Sequence, residues 1–232
     1  MLKTLALFDI DGTLLTTGGA GRTSLKQALE AVYGTAGPVY DYHMGGRTIR
    51  EIVRDLLTAA GVDEAAIWPR FDEAMALWPG LMREQIPQRK LAICPGAHAV
   101  VDAAFAHEGV LPGILTANIE ATAHIKLDAA GFDPARFPLG AYGDLSLDRA
   151  DLVPAAVAQA KALTGRSFAP REVVLLGDSP LDVETAHRAG VRSIAVLTGG
   201  ATREAMEAAA ADVIFEDFSD TEAVLAAILN GA

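Results

Sequence analysis

From about Val110 to its end the chain alternates short apolar runs, rich in Val, Ile and Leu, with longer Ala-rich stretches of helical character. Successive βα units around a parallel sheet produce that pattern. It predicts strands at Leu5 to Phe8, Val110 to Leu115, Leu139 to Tyr142, Val173 to Leu176, Ser193 to Val196 and Val213 to Phe215. The first of these is apolar throughout, as expected of a strand covered by helices on both faces, so it is expected in mid-sheet. Between Thr16 and Cys94 the pattern changes to helical segments over Arg22 to Tyr33, Thr48 to Ala60 and Asp63 to Gln85, with no strand expected. Thr48 and Glu51 read as a capping box at the second helix. Gly18-Gly19-Ala20-Gly21 and Pro95-Gly96 read as hinges at the ends of this stretch. The expected architecture is α/β, with a parallel-sheet core of residues 1–15 and 95–232 interrupted by an all-helical insert, residues 16–94.

Composition narrows the classes of function. The 232 residues are 51% hydrophobic and 21% charged, enough to bury a proper core, and 22 Gly with 11 Pro are too few for a low-complexity chain. The balance of 19 Lys and Arg against 30 Asp and Glu gives a net charge of −11, and no basic block interrupts it. Such a chain repels a polyphosphate backbone, so no nucleic-acid partner is expected. Cys94 is the only cysteine, which excludes an intramolecular disulfide and a thiolate metal cluster and fits a reducing compartment. The apolar run at the N-terminus ends at Asp9, and no later stretch approaches the roughly eighteen apolar residues of a membrane span. A cytoplasmic protein without a membrane partner is the expectation.

Two acidic stretches carry the candidate chemistry. Asp9-Ile10-Asp11-Gly12-Thr13 follows directly on the first strand, and a period of two aims both carboxylates the same way at the strand's carboxyl end. Open α/β sheets bind their ligands at that edge. Gly177-Asp178-Ser179-Pro180-Leu181-Asp182 also follows a buried strand and opens a helix, with Ser179 suited to the N-cap and Pro180 to the first helical position. A solvated turn would account for the first stretch alone, and dipole compensation for one acid of the second. Together they bring four carboxylates to one edge, where each ionised pair at ~5 Å repels by roughly 3 kcal/mol at an effective dielectric near 20. A hard divalent cation with oxygen ligands, most often Mg²⁺ beside a phosphate, neutralises such a group economically.

With these stretches in place the sequence resembles the haloacid dehalogenase superfamily of phosphohydrolases, whose four motifs can be read in order across nearly the whole chain. The resemblance implies a Rossmann-like core. It implies Asp9 as the nucleophile that becomes an aspartyl phosphate and Asp11 as the general acid and then base. Dehalogenases proper lack this second acid, so Asp11 argues for phosphoryl transfer. The second motif matches Thr116 in Gly113-Ile114-Leu115-Thr116-Ala117-Asn118, whose hydroxyl and following amides, at Ala117 and Asn118, would hold phosphoryl oxygens. Asn118 also reads as a cap for the next helix. The third motif usually has Lys before Pro; here Arg149 in Leu147-Asp148-Arg149-Ala150-Asp151-Leu152 stands instead, with Lys161, Arg166 and Arg171 as alternatives. The implied metal site is the Asp9 side chain, the Asp11 carbonyl and the Asp178 side chain, with Asp182 acting largely through water, and the implied metal is Mg²⁺.

The helical stretch lies where the subgroup resembling phosphoglycolate phosphatases and β-phosphoglucomutases carries its cap domain. Arg47 in Gly45-Gly46-Arg47-Thr48 could there reach a substrate carboxylate or second phosphate, and Arg22 is a weaker candidate. The expected activity is hydrolysis of small phosphorylated metabolites. A mutase that passes the phosphoryl group to a sugar hydroxyl is the alternative, as is a non-catalytic module that binds metal or phosphate. The glycine run at Gly18 lacks the third glycine of a dinucleotide fingerprint, the five histidines show no paired ligand spacing, and Trp68 and Trp78 read as packing residues.

Overall fold

The computed structural model describes residues 2–230. In chain order its elements are β1 (Thr4–Phe8), β2 (Leu15–Thr16), α1 (Ala20–Tyr33), α2 (Ile49–Ala59), α3 (Glu64–Gln85), β3 (Ala92–Ile93), α4 (Ala97–Ala106), β4 (Val110–Thr116) and α5 (Glu120–Ala129). They continue with β5 (Gly140–Tyr142), α6 (Leu152–Thr164), β6 (Val173–Gly177), α7 (Pro180–Arg188), β7 (Arg192–Val196), α8 (Arg203–Ala208), β8 (Val213–Phe215) and α9 (Thr221–Leu229). Six strands form one parallel sheet in the order β5-β4-β1-β6-β7-β8, a Rossmann-like α/β core with β1 inside it. Phe8 is level with Ile114 of β4 and Leu176 of β6. The residues that follow these three strands therefore leave the sheet at the same edge.

Each sheet face has its own apolar layer, as the two-residue period requires. Ala6, Phe8, Ile114, Val174 and Leu176 pack with α4, α5 and α9, while Leu5, Leu7, Leu115, Val173 and Leu175 pack with α6 and α7. Helices α1, α2 and α3 bury a separate set that includes Leu25, Leu29, Val53, Leu56, Phe71, Met75 and Trp78, and Ile119 from the start of α5 joins it. No helix among the described residues is long and apolar enough to cross a membrane.

The structure corrects three local expectations. A two-stranded antiparallel ribbon, β2 with β3, joins the two ends of the helical stretch, where no strand was expected within residues 16–94. Helix α1 starts at Ala20, so Ala20 and Gly21 belong to it and only Gly18 and Gly19 keep left-handed backbone, with φ of 57° and 88°. The capping box at α2 is half made: the Thr48 hydroxyl accepts the Glu51 amide at 3.1 Å, but the Glu51 carboxylate turns to the Arg47 guanidinium. A charged donor one turn away outcompetes a neutral backbone amide for that carboxylate.

Phe71 is 1% exposed at the centre of the layer formed by α1, α2 and α3. Phe71→Ala should cost about 3–5 kcal/mol by lost burial and the cavity left behind. Urea unfolding followed by circular dichroism measures this, and a loss under about 1 kcal/mol would contradict the tight packing described.

Candidate active site

Asp9 is the first residue beyond β1 and is 5% exposed; its amide donates to the Leu176 carbonyl at 2.9 Å, which continues the sheet by one bond. After it the chain turns sharply, with the amides of Thr13, Leu14 and Leu15 all directed at the Ile10 carbonyl. This turn is why the period of two fails beyond the strand. The Asp11 carboxylate does not join those of Asp178 and Asp182 beside Asp9 but pairs with Lys126, and its side chain is 43% exposed. On the next strand, Ser179 caps α7 by accepting the Asp182 amide, and Asp182 Oδ2 accepts the Ser179 amide at 3.1 Å. Pro180 fills the first helical position. Asp178, just before this cap, accepts from the Thr13 hydroxyl at 3.1 Å, which ties the two acidic stretches together.

Asp9, Asp178 and Asp182 each present an oxygen within 4.8 Å of the others, and all three are buried. The Asp11 carboxylate is outside this group. Into it reaches Arg149, buried on a one-turn 3₁₀ segment ahead of α6, whose Nη2 lies 2.6 Å from Asp182 Oδ1 and 3.3 Å from Asp9 Oδ1. Burial works against its charge, but Asp182 and Asp9 raise the Arg149 pKa above its ordinary value. The alternatives lie elsewhere: Arg166 pairs with Glu172 at 2.8 Å, and Lys161 and Arg171 are exposed. Burial raises the Asp9 carboxyl to about 7, opposed by Arg149 and reinforced by Asp182 and Asp11. Burial likewise raises Asp178 well above the carboxylate range, with Asp182 and Asp9 adding to it.

Asp11 has its own partners. Its Oδ2 accepts from Lys126 Nζ at 2.6 Å and from Asn118 Nδ2 at 2.8 Å. Lys126 also donates to Asn118 Oδ1 at 2.7 Å, and Asn118 Nδ2 reaches the Thr116 hydroxyl at 2.9 Å. Thr116, Asn118, Asp11 and Lys126 thus form one network. Sequence reasoning missed Lys126. The signal was its register: it shares with Thr122, Ala123 and Leu127 the buried face of α5, a position that lysine rarely occupies without a partner.

Five of these groups border a cavity of about 350 Å³ between the sheet edge and the helical layer. Asp9, Asp11, Asn118, Lys126 and Arg149 lie on one side of its lining, while Leu25, Met44, Ile49, Ile52 and Trp78 come from the helices and their connecting loop. Arg47 is not brought into it. Its guanidinium pairs with Glu51 and lies 5.4 Å from the Tyr42 ring centroid, facing a second cleft shared with Arg54, Asp148 and Arg188. What Arg47 contributes here is its carbonyl, which accepts from Arg149 Nη1 at 3.2 Å. Arg22 does line the cavity, and its guanidinium donates to the carbonyls of Val39 and Tyr42. Two first-turn amides of α2 also bond to the core, Ile49 to the Ala117 carbonyl at 3.1 Å and Arg50 to the Gly143 carbonyl at 3.4 Å.

A sequence profile of the haloacid dehalogenase-like hydrolases matches residues 6–196, which includes every group just described. The chain belongs to that family. It is 28% identical to "Probable phosphatase IndB" of Dickeya dadantii (strain 3937), over 99% of this chain and 96% of the relative. A hydrolase from Pseudomonas syringae has the same fold, with a TM-score of 0.73 at 21% identity over 97% of this chain and 99% of that one. So does CbbY from Rhodobacter sphaeroides, solved in complex with phosphate, with a TM-score of 0.63 at 20% identity over 95% and 96%.

As a haloacid dehalogenase-like hydrolase the chain has a site that suits a divalent metal. Four carboxylates face two buried cations, Arg149 and Lys126, and the remaining double negative charge matches one dication. Gly12, at a φ of 85°, and Gly199 press their bare Cα atoms against Asp178, and a Cβ at either would collide with its carboxylate. The cradle is thus shaped around that oxygen pair, and all its donors are hard.

The raised carboxyls have a consequence for stability. Asp9 titrates at 3.8 when unperturbed and at about 7 here, so between those values the folded chain holds a proton that the unfolded chain has released. Stability of the metal-free protein should therefore fall as pH rises through this window, Asp178 acting in the same direction. Melting in EDTA should give a lower Tm near pH 8 than near pH 5, a smaller difference for Asp9→Asn, and recovery near pH 8 on adding Mg²⁺. A Tm in EDTA that rises across the same interval would contradict this.

Proposed function

We propose that this chain is a phosphatase that hydrolyses phosphate monoesters of small metabolites through an aspartyl phosphate on Asp9, with Mg²⁺ as its metal and the cytoplasm as its place of work. The reading rests on one observation, two carboxylates with opposite surroundings at one sheet edge. Asp9 is buried against Arg149, whereas Asp11 is half-exposed and held by Lys126 and Asn118. The first suits a nucleophile and the second a group that exchanges protons. The name of the Dickeya relative and the phosphate in the CbbY structure support it.

In the first step an Asp9 oxygen attacks phosphorus, the ester P–O bond breaks, and its electron pair leaves on the alcohol oxygen, which takes a proton from Asp11. In the second, Asp11 as carboxylate takes a proton from water, whose oxygen attacks phosphorus; the bond to Asp9 breaks and inorganic phosphate leaves. Arg149 favours the ionised form of Asp9. Thr116 accepts from Asn118 with its oxygen, so its hydroxyl hydrogen is available to a phosphoryl oxygen, beside the amides of Ala117 and Asn118. When bound, Mg²⁺ would be held by the Asp9 and Asp178 side chains and the Asp11 carbonyl, with Asp182 behind them, and would screen charge between nucleophile and phosphate.

Residues 16–94 act in this reading as a cap whose apolar side chains shield the site from water and meet the organic part of the substrate. Asp9→Asn should lower phosphate release by a factor on the order of 10⁴ or more, with circular dichroism unchanged. Phosphate assayed across a panel of phosphorylated metabolites would identify the substrate. Undiminished turnover by the Asn variant would refute the covalent route.

A further inference from the structure

Lys126 is 3% exposed, and its ammonium has two partners that both bear on the proposed acid–base group. It donates directly to Asp11 Oδ2 at 2.6 Å, and to Asn118 Oδ1 at 2.7 Å. The second bond fixes the sense of the Asn118 amide, because the oxygen faces a group that can only donate. The amide nitrogen is thereby turned toward Asp11 Oδ2, at 2.8 Å, and the Thr116 hydroxyl, at 2.9 Å. Lysine thus acts on Asp11 twice, once by its own bond and once through Asn118. Both bonds fall on Oδ2; neither Lys126 nor Asn118 engages Oδ1.

We propose that Lys126 is a positioning residue for proton transfer: it anchors Asp11 by Oδ2 so that Oδ1 faces the leaving oxygen of the ester. The inference rests on the phosphatase reading. In the first step Oδ1 then delivers its proton to the departing alcohol oxygen as the P–O bond breaks, and in the second it collects one from water. Loss of the anchor leaves Asp9 and its attack on phosphorus in place but sets the carboxyl of Asp11 free to rotate. The network also meets the helical layer, since Lys126 Nζ lies against the Cα of Gly21 in the first turn of α1. A Cβ at Gly21 would lie 3.2 Å from the ammonium, a tight approach that the end of the lysine chain would relieve by shifting a few tenths of an ångström.

The role has a signature that general structural damage lacks, because proton delivery matters in proportion to how poorly the leaving group departs. The measurement is kcat/KM, which reports the phosphorylation step, with Mg²⁺ on p-nitrophenyl phosphate and on a simple alkyl phosphate. For Lys126→Met the ratio of the nitrophenyl to the alkyl value should rise about a hundredfold over the wild type, the scale of general-acid catalysis. Lys126→Arg keeps a buried cation and several donors, and its ratio should lie closer to the wild-type ratio. Should the Met variant fail to fold, Lys126→Gln, which keeps polar atoms at the site, is expected to show the same rise. A soluble, folded Met or Gln variant that loses the same factor on both esters would overturn the positioning role. An active wild type with that outcome leaves the phosphatase reading standing, whereas a wild type that releases phosphate from neither ester refutes that reading and this inference with it.

Discussion

Charge crowding at the carboxyl edge of the sheet governs the layout of this protein. Three buried carboxylates, on Asp9, Asp178 and Asp182, come within 4.8 Å of one another, an arrangement that costs several kcal/mol unless countercharge is built in. Arg149 supplies the permanent part of it and touches two of the three. The surrounding chain is adapted to the same end. The Ser179 cap and the Thr13 hydroxyl each donate to an acid, and Gly12 and Gly199 leave room for a carboxylate where any side chain would collide.

The cavity reflects a division of labour between two parts of the chain. The sheet edge contributes ionic groups whose positions are fixed by strand register, and the helical layer contributes apolar walls fixed by its own separate core. The ionic groups and the apolar walls of the cavity are therefore built on different packing units. Substitution at Leu25 or Ile52 changes the shape of the cavity without touching a charged group of the sheet edge.

Much of this was legible in the sequence, for identifiable reasons. The six sheet strands stand out because each is a short apolar run with a helical stretch after it, and Asp9 and Asp178 because each is an acid directly after such a run, at the edge where open α/β sheets bind ligands. Arg149 was legible only by register with a family motif. Lys126 was not, since a single Lys in an Ala-rich helix looks like a surface residue until its face is known to be buried. Arg47 stood out because a cation before a helix suggests an anion ligand; its pairing with the Glu51 carboxylate one turn on depends on a side-chain direction that the sequence does not give. The ribbon of β2 and β3 is two residues long on each side, too short to leave any periodicity.

The seam between α2 and the core combines two main-chain bonds, from the amides of Ile49 and Arg50 to the carbonyls of Ala117 and Gly143, with three from side chains: the Thr48 hydroxyl to the Leu147 carbonyl, Arg50 Nε to the Asp144 carbonyl and Arg149 Nη1 to the Arg47 carbonyl. The acceptor in all five is a peptide carbonyl, so a substitution at this joint can remove a donor but never an acceptor. Its bonds also exchange for bonds to water at small net cost. A joint whose acceptors all belong to the backbone keeps its register while the side chains of the apolar wall above it change, so the cavity can be reshaped without redesign of the seam.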